Sequence, residues 1–432
     1  MTDFIKKQSP VRIIAFGFAA VILIGSVLLM MPFSVRDGVE IDYIDALYTS
    51  TSAVCVTGLV TVDSWDTFSF IGQMVLFLLM EIGGLGVTCV GAGLILLMGR
   101  KMNLKGRNLV QEAMNLEGGW GVVRFVRDVF FTTVIFQLIG AVFSFIVFSQ
   151  HYSISRAIWM SIFHSVAAFN NSGFDLVGNM QSLIPLQDNV LLNLVTCVLI
   201  FLGGIGFLVI REVIQKKFRW KKLSMHSRVV LSVSMVLIAL GTVLIKMTEN
   251  ITWLGAFFAS VTARTAGFST FSFGEFTNAG LLIMIALMFI GASSGSTGGG
   301  IKTSTFFVLM QGIKSAATNK AEKAFHYAIP QNAFKKAAVI FILAISIILM
   351  STFLLLIFEP ELGFIDVLFE MTSAFATVGL STGITPALSV GSKIVSIIVM
   401  YIGRLGPLTV VTLWSFSKGE RISYPEGNIS IG

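Results

Sequence analysis

The chain has 432 residues, 55% of them hydrophobic and 12% charged, with a formal net charge of +7. Soluble proteins carry about 25% charged residues, so this composition excludes an ordinary cytosolic enzyme, and apolar runs of membrane-spanning length recur from end to end. Cys55, Cys89 and Cys197 form no CxxC pair, the four histidines lack close ligand partners, and no GxxxxGK[ST] loop is present, which argues against a zinc site or ATP hydrolysis.

The first apolar run, Val11 to Met31, is too long for a signal peptide, and Pro32-Phe33 follow it without a small-residue cleavage site, so it reads as a transmembrane helix. Comparable outer helices are expected over 129–149, 229–247 and 337–357. After each comes a short half-apolar stretch, at Tyr43–Ser52, Ser155–Val166, Thr252–Val261 and Phe364–Ser373. These are far too short to span a bilayer and read as re-entrant helices. Each leads into a small-residue segment that ends in glycine: TSTSAVCVTG at Gly58, HSVAAFNNSG at Gly173, ASVTARTAG at Gly267 and TSAFATVG at Gly379. A second mark follows inside an inner helix, expected over 68–98, 186–210, 280–310 and 392–416. It reads IGGLG from Ile82, LGGIG from Leu202, IGASSG from Ile290 and IGRLG from Ile402. The offsets between the two glycines are 25, 30, 24 and 24 residues.

Two marks in register four times define four tandem repeats. The predicted fold is an all-α membrane protein of four helix–pore-loop–helix units around a pseudo-fourfold pore, with eight transmembrane helices. Unit boundaries are expected at 1–115, 116–222, 223–325 and 326–432. Each unit crosses the membrane twice, so all four run in the same direction, unlike inverted transporter repeats. The segments 1–12, 99–128, 211–228, 311–336 and 417–432 hold 23 of the 30 Lys and Arg residues but 8 of the 23 Asp and Glu. By the positive-inside rule these segments and both termini are cytoplasmic, in a multi-pass plasma-membrane protein. The basic balance reports topology, and no nucleic-acid partner is expected.

Irregular backbone at membrane depth must be buried in protein or line an aqueous path. Four such loops around one axis can replace a cation's hydration shell with carbonyl oxygens, and the negative C-terminal ends of the short helices favour a cation there. The expected filter comprises Val54, Cys55, Val56, Thr57 and Gly58; Asn170, Asn171, Ser172 and Gly173; Arg264, Thr265, Ala266 and Gly267; and Ala376, Thr377, Val378 and Gly379. The cargo is K+ held by filter backbone carbonyls, with Na+ as the alternative ion. No catalytic residue and no covalently bound cofactor is expected.

Through VTGL at Val56–Leu59, FNNSGF at Phe169–Phe174, TARTAGF at Thr262–Phe268 and SAFATVGLSTG at Ser373–Gly383, the chain resembles the Trk/Ktr/HKT superfamily of cation translocators. Within it the likeness is to the membrane subunit of bacterial Ktr potassium uptake systems (KtrB/KtrD type), over residues 10–432. The resemblance implies potassium uptake and a homodimer with one pore per subunit. It also implies a cytosolic ring of RCK-domain subunits (KtrA/KtrC type), and nucleotide (ATP or ADP) is expected only on that partner. A serine at the first filter position goes with sodium in related plant proteins; Gly58 stands there here.

The third inner helix carries Gly291, Ala292, Ser293, Ser294, Gly295, Ser296, Thr297, Gly298, Gly299 and Gly300. Each glycine costs about 1 kcal/mol in a helix interior, so this segment should unwind, and it reads as an intramembrane gate loop over 291–300. Glu81, Lys302 and Arg404 are charges at lipid depth, where ionisable groups face the protein interior in pairs. Arg404 suits repelling cations, bonding loop carbonyls to hold the gate shut, or a structural pair such as one with Glu81. Arg264 is expected to point outward, tied to an acid such as Asp366 or Glu370. His164 is expected to be packed in a pore helix. The external acids from Asp37 to Asp66 suit cation steering or a solvated loop, and the basic run Arg211–Lys222 suits a partner, anionic lipid or simple topology.

Overall fold

The computed structural model describes residues 9–98, 102, 104–114 and 121–413; the expected cytosolic segment 417–432 lies outside these residues. Four outer helices, Pro10–Met30, Val122–His151, Met225–Thr248 and Gln331–Phe358, are each long and apolar enough to cross a bilayer. They present large apolar side chains outward, among them Phe131, Leu138 and Ile342, which suits a lipid-facing surface.

Inside them lie the pore helices Tyr43–Cys55, Ile154–Asn170, Trp253–Thr262 and Phe364–Ala376, almost wholly buried over their C-terminal halves. The pore helix meets the outer helix of its own unit in the same way three times. Ser50 Oγ donates to Ile22 O at 2.7 Å, Ser165 Oγ to Gln137 O at 2.6 Å, and Ser260 Oγ to Ile238 O at 2.9 Å. Each serine faces an outer-helix glycine (Gly25, Gly140 and Gly241), and an inner-helix leucine (Leu79, Leu199 and Leu287) closes the contact. Small residues permit this close helix approach.

The inner helices begin at capped N-termini, where Ser69, Asn189, Thr277 and Ser389 accept a backbone N–H of the first turn. None is continuous. Phe70–Leu85 and Val87–Leu97 bend by 100° at Gly86, and Val190–Ile205 and Phe207–Gln215 by 98° at Gly206. Val390–Leu405 and Pro407–Thr412 break at Gly406. These three glycines have φ of 83°, 92° and 90°, values that side-chain-bearing residues rarely adopt. Only the third inner helix was expected to unwind, and it does so most fully, between Asn278–Phe289 and Thr303–Thr318. Two further elements were not expected: a helix at Leu104–Ala113 and a short hairpin pairing Lys323–Ala324 with Tyr327–Ala328.

Candidate functional site

Each pore helix points its C-terminus toward the other three, and three of the four end in the left-handed region. Val56, Asn171 and Thr377 are C-caps with φ of 57°, 59° and 50°, and Thr265 of the third unit has φ 72°. Three of the four are β-branched, a class for which this conformation is a true outlier. Such strain costs roughly 1–3 kcal/mol per residue and persists where the surroundings impose it. Here the chain is pinned by hydrogen bonds: Thr57 N to Ser52 O at 2.8 Å, Ser172 N to Ala167 O at 2.9 Å, and Val378 N to Ser373 O at 2.9 Å. In units 1 and 4, Ser52 and Ser373 hydroxyls also accept from Gly58 N and Gly379 N, both at 3.0 Å.

Two residues beyond the left-handed positions, Gly58, Gly173, Gly267 and Gly379 close a ring in the order of the chain. A Cβ at Gly58 would sit 2.6 Å from Ser172 O, one at Gly173 would sit 3.0 Å from Ala266 O, and one at Gly267 would sit 2.5 Å from Val378 O. At Gly379 it would collide with Thr57 O. All four glycines have positive φ, between 70° and 96°. Side chains are thus excluded twice over, by conformation and by the neighbouring unit's carbonyl. Thr57, Asn171, Ser172, Thr265, Ala266, Thr377 and Val378 are fully buried around this ring. Asn171 and Thr265 meet across the boundary of units 2 and 3 at 3.3 Å.

Val54, Cys55, Asn170 and Ala376, expected in the extended filter, are instead the last residues of pore helices. Their apposition to the inner helices explains the first glycine of the second mark. A Cβ at Gly83, Gly203 or Gly403 would strike Val54 O, Phe169 O or Phe375 O respectively.

On one side of the ring lies a cavity of about 200 Å³, lined by the four glycines, Asp63, Asp175, Ser182, Ser269 and Thr385. Burial pushes the Asp175 carboxyl up to about 7, and Asp63 adds to the rise, against hydrogen bonds from Val177 N–H and Ser182. Asp63 and Asp66 also have structural duties, accepting Met180 N at 2.7 Å and Asn179 N at 2.8 Å. Asp175 escaped the sequence reading although it stands two residues beyond Gly173, since an isolated acid carries no spacing signal.

On the other side lies the unwound segment. Gly298 and Gly299 pack against Thr265 and Thr377, with no room for a Cβ, and Gly300 faces Ala376. Ser293 N donates to Gly204 O at 2.9 Å, and Ser296 Oγ to Ser293 O at 2.6 Å. Ser294 Oγ lies 3.4 Å from Ser304 Oγ. Gly295 O accepts Phe207 N at 3.1 Å.

Arg404 donates to Thr297 O in this loop and to Gly83 O of the first inner helix. It makes no pair with Glu81, whose neighbours are Gln137 and Asn170. Arg264 is buried and reaches Gly291 O at 3.5 Å, so neither of the two acids expected for it is its partner. Glu370 bonds Thr385 Oγ1 at 2.5 Å instead. His164 is packed as expected, with Nε2 2.8 Å from Thr196 Oγ1 and its ring edge-on to Phe148 and Phe268.

Residues 5–421 match the family model TrkH, a cation transport protein. The chain is 39% identical to the potassium/sodium uptake protein NtpJ of Enterococcus hirae, over 99% of this chain and 98% of that one. It is 37% identical to Ktr system potassium uptake protein B of Bacillus subtilis, over 99% and 97%. The crystal structure of the potassium transporter TrkH from Vibrio parahaemolyticus superposes with a TM-score of 0.72 at 19% identity, covering 93% of this chain and 85% of that one. With the fourfold pore-loop architecture, these matches settle the family: the chain belongs to the TrkH family of cation transport proteins.

Proposed function

We propose that this protein mediates gated uptake of potassium ions through the ring at Gly58, Gly173, Gly267 and Gly379, driven by the electrochemical gradient. The observation that carries the reading is the ring itself. Four pore-helix C-termini supply negative dipole ends, and the carbonyls of Thr57, Ser172, Ala266 and Val378 crowd one axis, as dehydrated-cation sites require. The names of the relatives from Enterococcus hirae and Bacillus subtilis support potassium as cargo. The first of those names also keeps sodium in play, and a sodium-coupled potassium transporter is the second reading. The loop from Gly291 to Gly300, with Lys302 and Arg404, serves as the gate.

The basic segments support a plasma-membrane orientation with both termini cytoplasmic. Designation of relatives as proteins B and D of a Ktr system supports a multi-component assembly. In this reading the assembly is a homodimer on a cytosolic RCK-domain ring, and that ring carries the nucleotide.

The test is potassium and rubidium uptake in a potassium-uptake-deficient bacterium, wild type beside Gly58→Ser. Rescue at low potassium, weakened by Gly58→Ser with sodium now competing, is expected. Absence of rescue with a Ktr-type cytosolic partner co-expressed would overturn the ion assignment.

A further inference from the structure

The loop between Phe289 and Thr303 is held by every other unit. Ser293 N and Thr297 N donate to Gly204 O and Gly203 O of unit 2 at 2.9 and 3.3 Å. From unit 4, Arg404 donates to Thr297 O, and the same guanidinium reaches Gly83 O of unit 1. A segment rooted in unit 3 is thus tied to units 2 and 4 directly and to unit 1 through Arg404. It lies directly against the ring, because Gly298 and Gly299 abut the side chains of Thr265 and Thr377.

The loop backbone therefore stands next to the ring, where its carbonyls can serve an ion leaving it. Two of them are already engaged. Lys302 Nζ donates to Gly298 O at 2.7 Å and stands 3.4 Å from Gly299 O. An ammonium is a compact monovalent point charge, and backbone carbonyls are the ligands that replace the water of a permeating cation.

We propose that the Lys302 ammonium is a tethered surrogate for the transported ion. It occupies loop carbonyls that would otherwise pass a cation onward, and its fixed charge opposes an ion stepping down from the ring. Opening then requires the ammonium and the loop to leave together. This rests on the reading of the glycine ring as ion path and of the loop as gate.

The test uses the full chain reconstituted in liposomes without a cytosolic partner, with tracer rubidium uptake as the readout. Lys302→Met should raise partner-free flux about tenfold, the scale of one lost charge-assisted contact, while keeping potassium preferred over sodium. Lys302→Cys should be similarly open, and an aminoethyl thiosulfonate that restores an ammonium there should close it, whereas a neutral reagent of equal length should not. Wild type treated with either reagent is the control for the buried Cys55, Cys89 and Cys197.

Unchanged or reduced flux in monodisperse Lys302→Met and Lys302→Cys would overturn the inference. So would raised flux without selectivity, since that is collapse of the ring. Two controls separate the underlying readings. Absence of selective flux in wild type, with or without a Ktr-type partner, would remove the transport reading and this inference with it. Unaltered flux after deletion of 293–300 would remove the gate. Failure at Lys302 with both controls intact falls on the surrogate ion alone.

Discussion

Lys393 Nζ lies 2.6 Å from Asp45 Oδ1, although the two residues are 348 positions apart. Asp45 opens the first pore helix and Lys393 sits in the first turn of the last inner helix, so this pair closes the ring of units between its end and its beginning. Tyr48 Oη, one turn on, reaches Ser396 Oγ at 3.0 Å and extends the same seam. Both ends of the ion pair are largely buried, with side-chain exposures of 11% and 15%. Lys393→Met should therefore cost more than the ~1 kcal/mol of an exposed pair, approaching the ~3–5 kcal/mol of a buried charge left alone. Thermal unfolding in detergent should show the loss, with a smaller loss in the Asp45→Asn, Lys393→Met double variant. Additive losses would mean that the two residues do not interact.

Arg404 spans the loop and the first inner helix with one guanidinium. Hydrogen bonds from a charged donor contribute about 1.5–3 kcal/mol each, so Arg404→Met should weaken the closed loop by several kcal/mol. Raised partner-free rubidium flux in liposomes is the expected result. Arg404→Lys should fall between, because a point charge cannot serve two diverging carbonyls as a planar fork does. Equal flux in all three proteins would remove Arg404 from the gate.

The serine–glycine contact between pore and outer helices gives a stability test away from the ring. A Cβ at Gly140 would meet Ser165 Oγ and lie 2.6 Å from Leu199 Cδ1. Gly140→Ala should cost about 1–3 kcal/mol by overpacking. Adding Ser165→Ala relieves one of the two clashes, so part of the thermal stability should return. No loss on Gly140→Ala would show that the helices can separate freely there.

Glu359, at the end of the last outer helix, accepts Ser389 N at 2.7 Å and Ser392 Oγ at 2.8 Å, which ties it to the N-cap of the last inner helix. Burial pushes its carboxyl up, but the hydrogen bonds from Ser389 and Ser392 outweigh this and hold it below the ordinary glutamate value. A carboxylate depressed in the native state stabilises above its unfolded pKa of ~4.3 and loses that contribution as pH falls through the native value. Glu359→Gln should lower stability by about 1 kcal/mol at pH 7, after discounting for solvent screening. The gap to wild type should narrow as pH drops below about 4. A gap that stayed constant with pH would show that the charge contributes nothing.

Much of the site was legible in the chain because each signal was local and repeated. The four ring glycines, the pore helices and the glycine-rich third inner helix all follow from composition within a few residues, and the register of the two marks ties them into units. Apolar length, the positive-inside bias and the need to bury irregular backbone are properties that a sequence carries on its face.

What only the tertiary structure decided is which atoms meet across units. Arg404 chose carbonyls of Thr297 and Gly83 over Glu81, and Arg264 chose Gly291 O over any acid. Backbone acceptors have no sequence signature, so pairing by opposite charge was the wrong guide for Arg264, while for Arg404 the structure decided for the loop carbonyl among the readings left open. The breaks at Gly86, Gly206 and Gly406 were hidden for a related reason. A glycine in an apolar run permits a bend but does not demand one, and the bend follows from neighbours packed on either side. The closure of the ring by Asp45 and Lys393 is likewise a consequence of four units surrounding one axis, which places the two most distant units side by side.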